Sequence, residues 1–438
     1  MKRAIGAVLI TGLFFIMPLA AQEEASLDWD ISTIFDAPAE ERPKEDQEAE
    51  ETARPSAVSL LKRRGYTFDA SFRFIGGLMP GWNQTPWYFD GAEKYSTNPV
   101  IRMRASFGID AQISEALRAK VSVFFEIPPA SGAASNTALR FELGDFFFDY
   151  SLYDVVFIRA GKFSLNWGIS RNFSFTNLLS RIPDVREGSG QLLRYRFDPY
   201  LVKVDVPIGI GGIQLLALTR VNLMGRVTPE RRDFAFGGKY NLAHRLFDLD
   251  VGALYQRGMD TRAFASIKTT LWDFEIYNEW LGAIDEEKWN NFNGAVNLGF
   301  ARDFNIFDKR LSVNAEVFYN AESKALWYSP ETDIRLGREY RFLEGFNLAM
   351  NLLFRFGGKG NPRLFTQALY AVDQKSARLT PGFRLTPWQN VDVYLAVPMS
   401  LGSKESYYYK YNEDNDNRPF SVVMLVTVRG SVRAAHYQ

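Results

Sequence analysis

The side chains that could do chemistry are arginines, lysines and carboxylates placed at every second position of apolar segments. Arg102 and Arg104 alternate with Ile101, Met103 and Ala105, and Arg118, Lys120 and Glu126 alternate with Leu117, Ala119, Val121 and Phe125. The same rhythm puts Arg140, Arg159, Arg262, Lys268, Glu279, Glu316, Arg355, Arg378 and Arg384 on the polar side of their segments. Charges spread over so many segments suit a long water-lining surface better than one reaction centre. Covalent chemistry lacks parts. The 438 residues include no cysteine, which removes thiolate zinc sites, cysteine nucleophiles and disulfides. Histidine occurs twice, as His244 and His436, too few for a multi-histidine metal centre. No catalytic residue, metal or cofactor is expected.

The elements that carry these charges repeat with a period of two, the mark of strands with one apolar face. Tyr66, Phe68, Ala70, Phe72 and Phe74 alternate with Thr67, Asp69, Ser71 and Arg73, and Leu348, Met350, Leu352 and Phe354 flank Asn347, Asn351 and Arg355. About eighteen such segments begin near residues 66, 100, 117, 138, 155, 199, 213, 234, 248, 262, 274, 291, 311, 346, 363, 377, 391 and 420. Many approach the ~9–11 residues that cross a bilayer as a tilted strand. A soluble sandwich shows the same period. Two features favour a membrane: aromatics at segment ends (Tyr66, Phe74, Trp280, Tyr319, Phe346, Phe356) and an apolar face assigned no charge. A charge at the lipid midplane would cost ~2–4 kcal/mol. The expected fold is all-β: a transmembrane antiparallel β-barrel of about 18 strands (16–18). Ile113–Ala116, Trp272-Asp273 and Gly357–Pro362 read as short periplasmic turns. Leu78–Pro99, Ser164–Asp198, Asn320–Gly345 and Leu401–Pro419 read as longer loops outside. An even strand count returns both termini to the periplasm.

Charge divides the chain further. Its 51 basic and 51 acidic residues cancel, so nothing points to nucleic acid. Residues 1–21 carry Lys2 and Arg3, an apolar run from Ala4 to Leu19 and a small pair, Ala20-Ala21, which is the order of a secretory signal peptide cut after Ala21. Residues 22–56 hold twelve carboxylates and three basic side chains, net −9, whereas 57–438 carry net +7. Composition of the first kind cannot repay the entropy of ordering, so 22–62 is expected to be a largely disordered periplasmic segment and 63–438 the barrel. An apolar island, Leu27–Asp36, interrupts the acidic stretch. It reads either as a bland patch in a linker or as a docking motif for a periplasmic partner or for the protein's own lumen.

The inward charges contain more basic than acidic members, which tilts a pore toward anions; the alternative is that they are structural, paired with carboxylates on the next strand. Ser164–Asp198 is too rich in Trp167, Phe173, Phe175, Leu178, Leu179 and other apolar residues for a floppy surface loop, and it also holds Asn166, Arg171, Arg181, Asp184, Arg186, Arg194 and Arg196. It is expected to fold into the barrel mouth and narrow the pore, against the alternative of an extracellular cap. Arg159-Ala160-Gly161-Lys162-Phe163 with Asn166-Trp167-Gly168 resembles a strand-end motif of large porin-type outer-membrane barrels, including families related to sugar- and phosphate-selective porins. The resemblance covers roughly 30 residues and implies that the segment after the motif runs into a constricting loop. One departure is the carboxyl end, Ala435-His436-Tyr437-Gln438, where such barrels carry a terminal aromatic read by assembly machinery.

The leading expectation is a passive outer-membrane channel for small hydrophilic solutes, with a mild preference for anions or sugars. Open alternatives are a hydrophobic-substrate barrel of the fatty-acid type, a membrane enzyme, and a surface adhesin or receptor. His244 and His436 suit no acyl-transfer site at the outer rim. Expected partners are outer-membrane lipid, the barrel-assembly machinery, small solutes and further copies of the chain as a homo-oligomer.

Overall fold

The computed structural model describes residues 65–82, 95–127, 140–173, 199–219, 231, 234–257, 261–284, 292–321, 344–358, 360–403, 406, 408 and 419–437. The segment expected to be a signal peptide, the acidic segment and its apolar island, and Arg181, Asp184, Arg186, Arg194 and Arg196, lie outside the described residues, as does the side chain of Arg140.

The described residues build one antiparallel sheet that closes on itself. Its first staves are β1 (Gly65–Trp82), β2 (Tyr95–Gln112), β3 (Leu117–Ile127), β4 (Arg140–Leu152), β5 (Val156–Lys162) and β6 (Tyr200–Ile208). Then come β7 (Gly211–Thr219), β8 (Phe234–His244), β9 (Phe247–Gln256), β10 (Thr261–Leu271), β11 (Phe274–Ile284) and β12 (Phe292–Ile306). The last are β13 (Lys309–Asn320), β14 (Gly345–Arg355), β15 (Arg363–Ala371), β16 (Ser376–Trp388), β17 (Val391–Ala396, continued as Met399–Leu401) and β18 (Phe420–Ser421, continued as Val423–Tyr437). The interruption in β17 falls at Val397-Pro398, where proline has no N–H for the ladder. Each stave pairs with its sequence neighbour, and β1 pairs with β18 from Gly65↔Tyr437 to Leu78↔Met424, which leaves no free edge. This is the eighteen-strand barrel that the alternation implies.

Even-numbered positions of β1 and their counterparts on other strands face outward. Phe72, Leu215, Leu348 and Leu395 are all more than a third exposed, forming an apolar belt with no protein over it. With the described strands paired all the way around the ring, that belt is a lipid-facing surface, and the chain is a transmembrane barrel of the bacterial outer-membrane kind. No described helix is long and apolar enough to cross a membrane; the strands do the crossing.

Four details differ from the sequence reading. First, β1 and β2 extend well past the span needed for a bilayer and pair through Trp82↔Tyr95, so Leu78–Trp82 and Tyr95–Pro99 are strand rather than loop. Second, β15 and β16 join through the short turn 372–375 at the end otherwise marked by long loops. Third, the outward face does carry an arginine: Arg302 lies opposite outward Val313, over the Phe274 ring at 4.4 Å and the Phe304 ring at 5.0 Å, with Asp273 at 3.8 Å. Near the short-turn rim its head reaches the interface while the rings cover its stem, so the midplane penalty does not apply. Fourth, β4 changes parity at a bulge just before Phe146, where Ser122 of β3 faces both Gly144 and Asp145 of β4 and its Oγ accepts the Asp145 N–H at 2.7 Å.

Candidate functional site

The interior is built from the inward-facing positions and from the segment that follows β5. The porin-like motif has a physical basis. Arg159 grips Asp149 with two hydrogen bonds, 2.5 and 2.9 Å, and its guanidinium stands over the Phe147 and Phe163 rings at 4.4 and 5.2 Å. Gly161 adopts φ +142, and a Cβ there would run into the Phe146 carbonyl oxygen, so only glycine lets β5 end this way. Lys162 donates to the Leu143 carbonyl. The chain then leaves the wall and enters the bore.

Residues 163–173 form a strap laid against the inner faces of β7 and β10–β14. Trp167 is 2% exposed, donates its indole N–H to Gln214 Oε1 at 2.6 Å and packs on Phe264 with centroids 5.2 Å apart. Gly237 makes room for it, since a Cβ there would meet the Trp167 ring at 3.1 Å. At the far end Phe173 stacks on Phe318 with centroids 4.9 Å apart. Between these rings the strap has no sheet partner for its backbone, and two wall carboxylates take that part. Glu279 Oε1 accepts the N–H groups of Ile169 and of Ser170 (3.0 Å), while its Oε2 accepts the Ser170 hydroxyl at 2.6 Å. Glu316 accepts the N–H groups of Arg171 at 2.7 Å, Asn172 at 3.0 Å and Phe173 at 3.0 Å, and the Tyr277 hydroxyl at 2.6 Å. Five successive strap N–H groups thus end on two carboxylates. An ionised carboxylate buried without such donors would cost several kcal/mol, roughly what charge-assisted bonds of this kind return.

Asparagines complete the seat. Asn172 donates to Asn314 Oδ1 at 2.8 Å and accepts from Asn351 at 2.8 Å, and Asn297 donates to the Ser170 hydroxyl at 2.6 Å. One register row explains how Tyr277 reaches Glu316: Tyr277 of β11 lies opposite Gly299 of β12, which lies opposite Glu316 of β13. A Cβ on Gly299 would stand 2.2 Å from the tyrosine ring, so the glycine lets the ring lie flat across the middle strand.

The sequence reading placed Glu126, Glu279 and Glu316 on the water-lining surface. They do face inward, but exposures of 2%, 0% and 1% take them off it. Glu279 and Glu316 anchor the strap; Glu126 is closed in an ion pair with Arg102, itself 5% exposed. Arg262, Arg378 and Arg384 are likewise inward and buried, and Arg384 pairs with Asp392 at 3.0 Å. Within the strap, Asn166 is exposed, and Arg171 binds Glu275 at 2.5 Å, the residue that Lys268 also reaches at 3.3 Å.

Other inward charges meet water and still pair across strands. Arg118 of β3 binds Asp110 of β2 at 2.5 Å and sits 3.6 Å from Asp149 of β4, which Arg159 of β5 also holds. Lys120 binds Asp145 at 2.8 Å. Arg118, Lys120 and Arg159 keep 35%, 32% and 32% of their side chains exposed. Arg104 stands 3.9 Å over the Phe124 ring, and Arg355 is half-buried at the end of β14. The structural-pairing alternative therefore describes much of the set.

Sequence reasoning missed Gln214, Asn172, Asn297, Asn314 and Asn351, which seat the strap, and Arg310 and Arg429, which face inward near the short-turn end. The asparagines leave a signal. Asn297, Asn314 and Asn351 recur at inward positions on three adjacent strands, where a water-facing wall has no need of one residue type.

By sequence, no protein-family model and no curated protein matches this chain. By structure, it is similar to solved barrels at very low identity. Acinetobacter baumannii OccAB2 superposes with a TM-score of 0.54 at 10% identity, covering 84% of this chain and 98% of that one. Pseudomonas aeruginosa OpdQ gives 0.53 at 8% identity, covering 84% and 98%. Pseudomonas aeruginosa OccD3 (OpdP) gives 0.52 at 9% identity, covering 87% and 97%. What this chain shares with these barrels is the fold: an eighteen-strand antiparallel outer-membrane barrel spanning nearly the full length of each.

Proposed function

We propose that the chain is a passive outer-membrane channel for small hydrophilic solutes, with a bore narrowed by residues 163–173 and a mild preference for anions or sugars. The observation that carries this reading is the strap itself. A barrel needing only a filled interior would use side chains, whereas here a chain segment is fastened to the wall by Glu279 and Glu316, which supports a bore narrowed from that side. Beside it the exposed heads of Arg118, Lys120 and Arg159 give the water-lining surface its positive members. Charged rings of this kind set ion preference in pores. Asp110, Asp145 and Asp149 partner them closely, so the preference is mild rather than absolute.

The test is single-channel conductance of refolded protein in planar bilayers under a salt gradient. Ohmic current with a reversal potential on the anion side supports the reading. A silent barrel, with detergent or fatty acid filling the lumen, would replace it with a hydrophobic-substrate transporter. Replacing Arg118, Lys120 and Arg159 together by glutamine should move the reversal potential toward cations, and an unchanged potential removes these residues from the pore surface.

A further inference from the structure

The lipid-facing side of the barrel carries an ion pair that stays open. Arg302 of β12 lies opposite Val313 of β13, and Ala301 pairs with Glu275, which sets Arg302 beside Phe274, the first residue of β11. Its row therefore ends at the Trp272-Asp273 turn, where the apolar belt gives way to the short periplasmic connections. Toward the midplane the same face continues in Phe300 and Leu298, both more than a third exposed. The Arg302 guanidinium stands over the Phe274 and Phe304 rings, which fix its place and cover its stem. Asp273 faces it across 3.8 Å, too far for a hydrogen bond.

Inside the barrel such pairs are closed. Arg159 meets Asp149 with two hydrogen bonds, and Arg118 meets Asp110 in the same way. Among the described residues neither Arg302 nor Asp273 has a hydrogen-bond partner, so the guanidinium N–H groups and both carboxylate oxygens are left to what lies outside the protein. At this depth the outside is the headgroup layer. A fixed cation beside an exposed carboxylate is the complement of a dipolar headgroup, a phosphodiester followed by a primary ammonium. The guanidinium fork suits phosphate oxygens, and a primary ammonium offers Asp273 N–H donors. A quaternary ammonium has no such donors, and a headgroup bearing only negative charge would be repelled by Asp273.

We propose that Arg302, Asp273 and the Phe274 and Phe304 rings form a binding site for one phospholipid of the periplasmic leaflet, its phosphate on Arg302 and its primary ammonium on Asp273. The site is independent of what the bore conducts. Barrels released from nanodiscs of equimolar phosphatidylethanolamine, phosphatidylglycerol and phosphatidylcholine, weighed by native mass spectrometry, show which lipid stays bound. The unmodified chain should retain phosphatidylethanolamine above the other two. Arg302→Gln should lower that retention about tenfold, and Arg302→Lys should recover part of it, since an ammonium keeps the charge but not the fork. Asp273→Asn should change the class held, with phosphatidylglycerol retained at least as well as phosphatidylethanolamine. Lys309→Gln, at the outward start of β13 by the neighbouring turn, should alter neither amount nor class. The heat-dependent gel shift should be unchanged in all four variants, which confirms that each barrel is folded. Equal retention of the three lipids by the unmodified chain, or preference for phosphatidylglycerol, overturns the proposal. An equal loss on Lys309→Gln does so too, by assigning retention to charge spread around the rim. Displacement of the lipid by millimolar inorganic phosphate would likewise overturn it and assign Arg302 to a free anion.

Discussion

Two stretches of the inner wall use the same residue types to opposite ends. Across β2–β5, Asp110, Arg118, Asp149 and Arg159 form a chain of ion pairs that keeps a quarter to a third of each side chain in water. Across β11–β13, Glu279 and Glu316 are stripped of water and spend their charge on the backbone of a strap. The difference lies in what faces them. Opposite β2–β5 the acid meets a guanidinium on the next strand, so the pair is complete within the wall. Glu316 has as its strand neighbours Gly299 and Ala349, neither of which can answer a carboxylate, and it is left to reach inward. An inward acid with no basic register partner is thus a socket for something outside the sheet.

That contrast breaks most sharply at the sockets. Glu279→Ala with Glu316→Ala should free the strap outright, because each charged hydrogen bond lost costs about 1.5–3 kcal/mol and several go together. Conductance should rise several-fold and trypsin should gain access to Arg171 in the assembled barrel. A double variant with unaltered conductance would mean that the strap is held by its rings alone. Trp167→Ala tests those rings, with an expected loss of about 3–5 kcal/mol, read as a lower temperature for the heat-dependent gel shift of the folded barrel.

The paired ladder should respond differently. Exposed ion pairs contribute about 0–1 kcal/mol, so Arg159→Gln should shift the melting temperature little while altering ion preference. A large destabilisation would show that Arg159 acts mainly by bracing Phe147 and Phe163 at the launch of the strap.

How much of this could be read from the sequence follows the same division. Strand starts were legible to within a few residues, because a one-residue slip would turn every apolar side chain of a stave inward, and lipid on one side permits no such ambiguity. The direction of Glu279 and Glu316 was legible for the same reason. Their burial was not, since alternation says which face a residue takes and nothing about what lies across the bore. Gln214 and the asparagine seat have no local pattern at all; they are defined by a segment roughly 40–180 positions away in the chain. Arg310 escaped because it sits at the start of β13, where apolar alternation fades into the turn, and Arg429 because β18 runs on to Tyr437, past its apolar run.

The smallest expected effect concerns the short-turn rim, which contrasts with both walls in being strained where they are relaxed. Tyr153-Asp154, Trp272-Asp273 and Phe307-Asp308 all place an aromatic and an aspartate at positive φ, between 49 and 64 degrees. Two-residue hairpins of this twist favour Asn-Gly, and a bulky aromatic in that conformation is costly. Yet Phe307 is 93% exposed and Trp272 79%, so protein packing does not hold them there. Aromatic rings at the end of the lipid-facing belt sit at the level of the headgroups, and burial in that interface offsets the strain. Changing Phe307-Asp308 to Asn-Gly should therefore raise stability in detergent by up to about 1 kcal/mol, by relieving the backbone. In lipid bilayers the gain should vanish or reverse, because the ring's interfacial burial is lost with it. Equal gains in both media would place these turn tips in water, clear of the membrane surface.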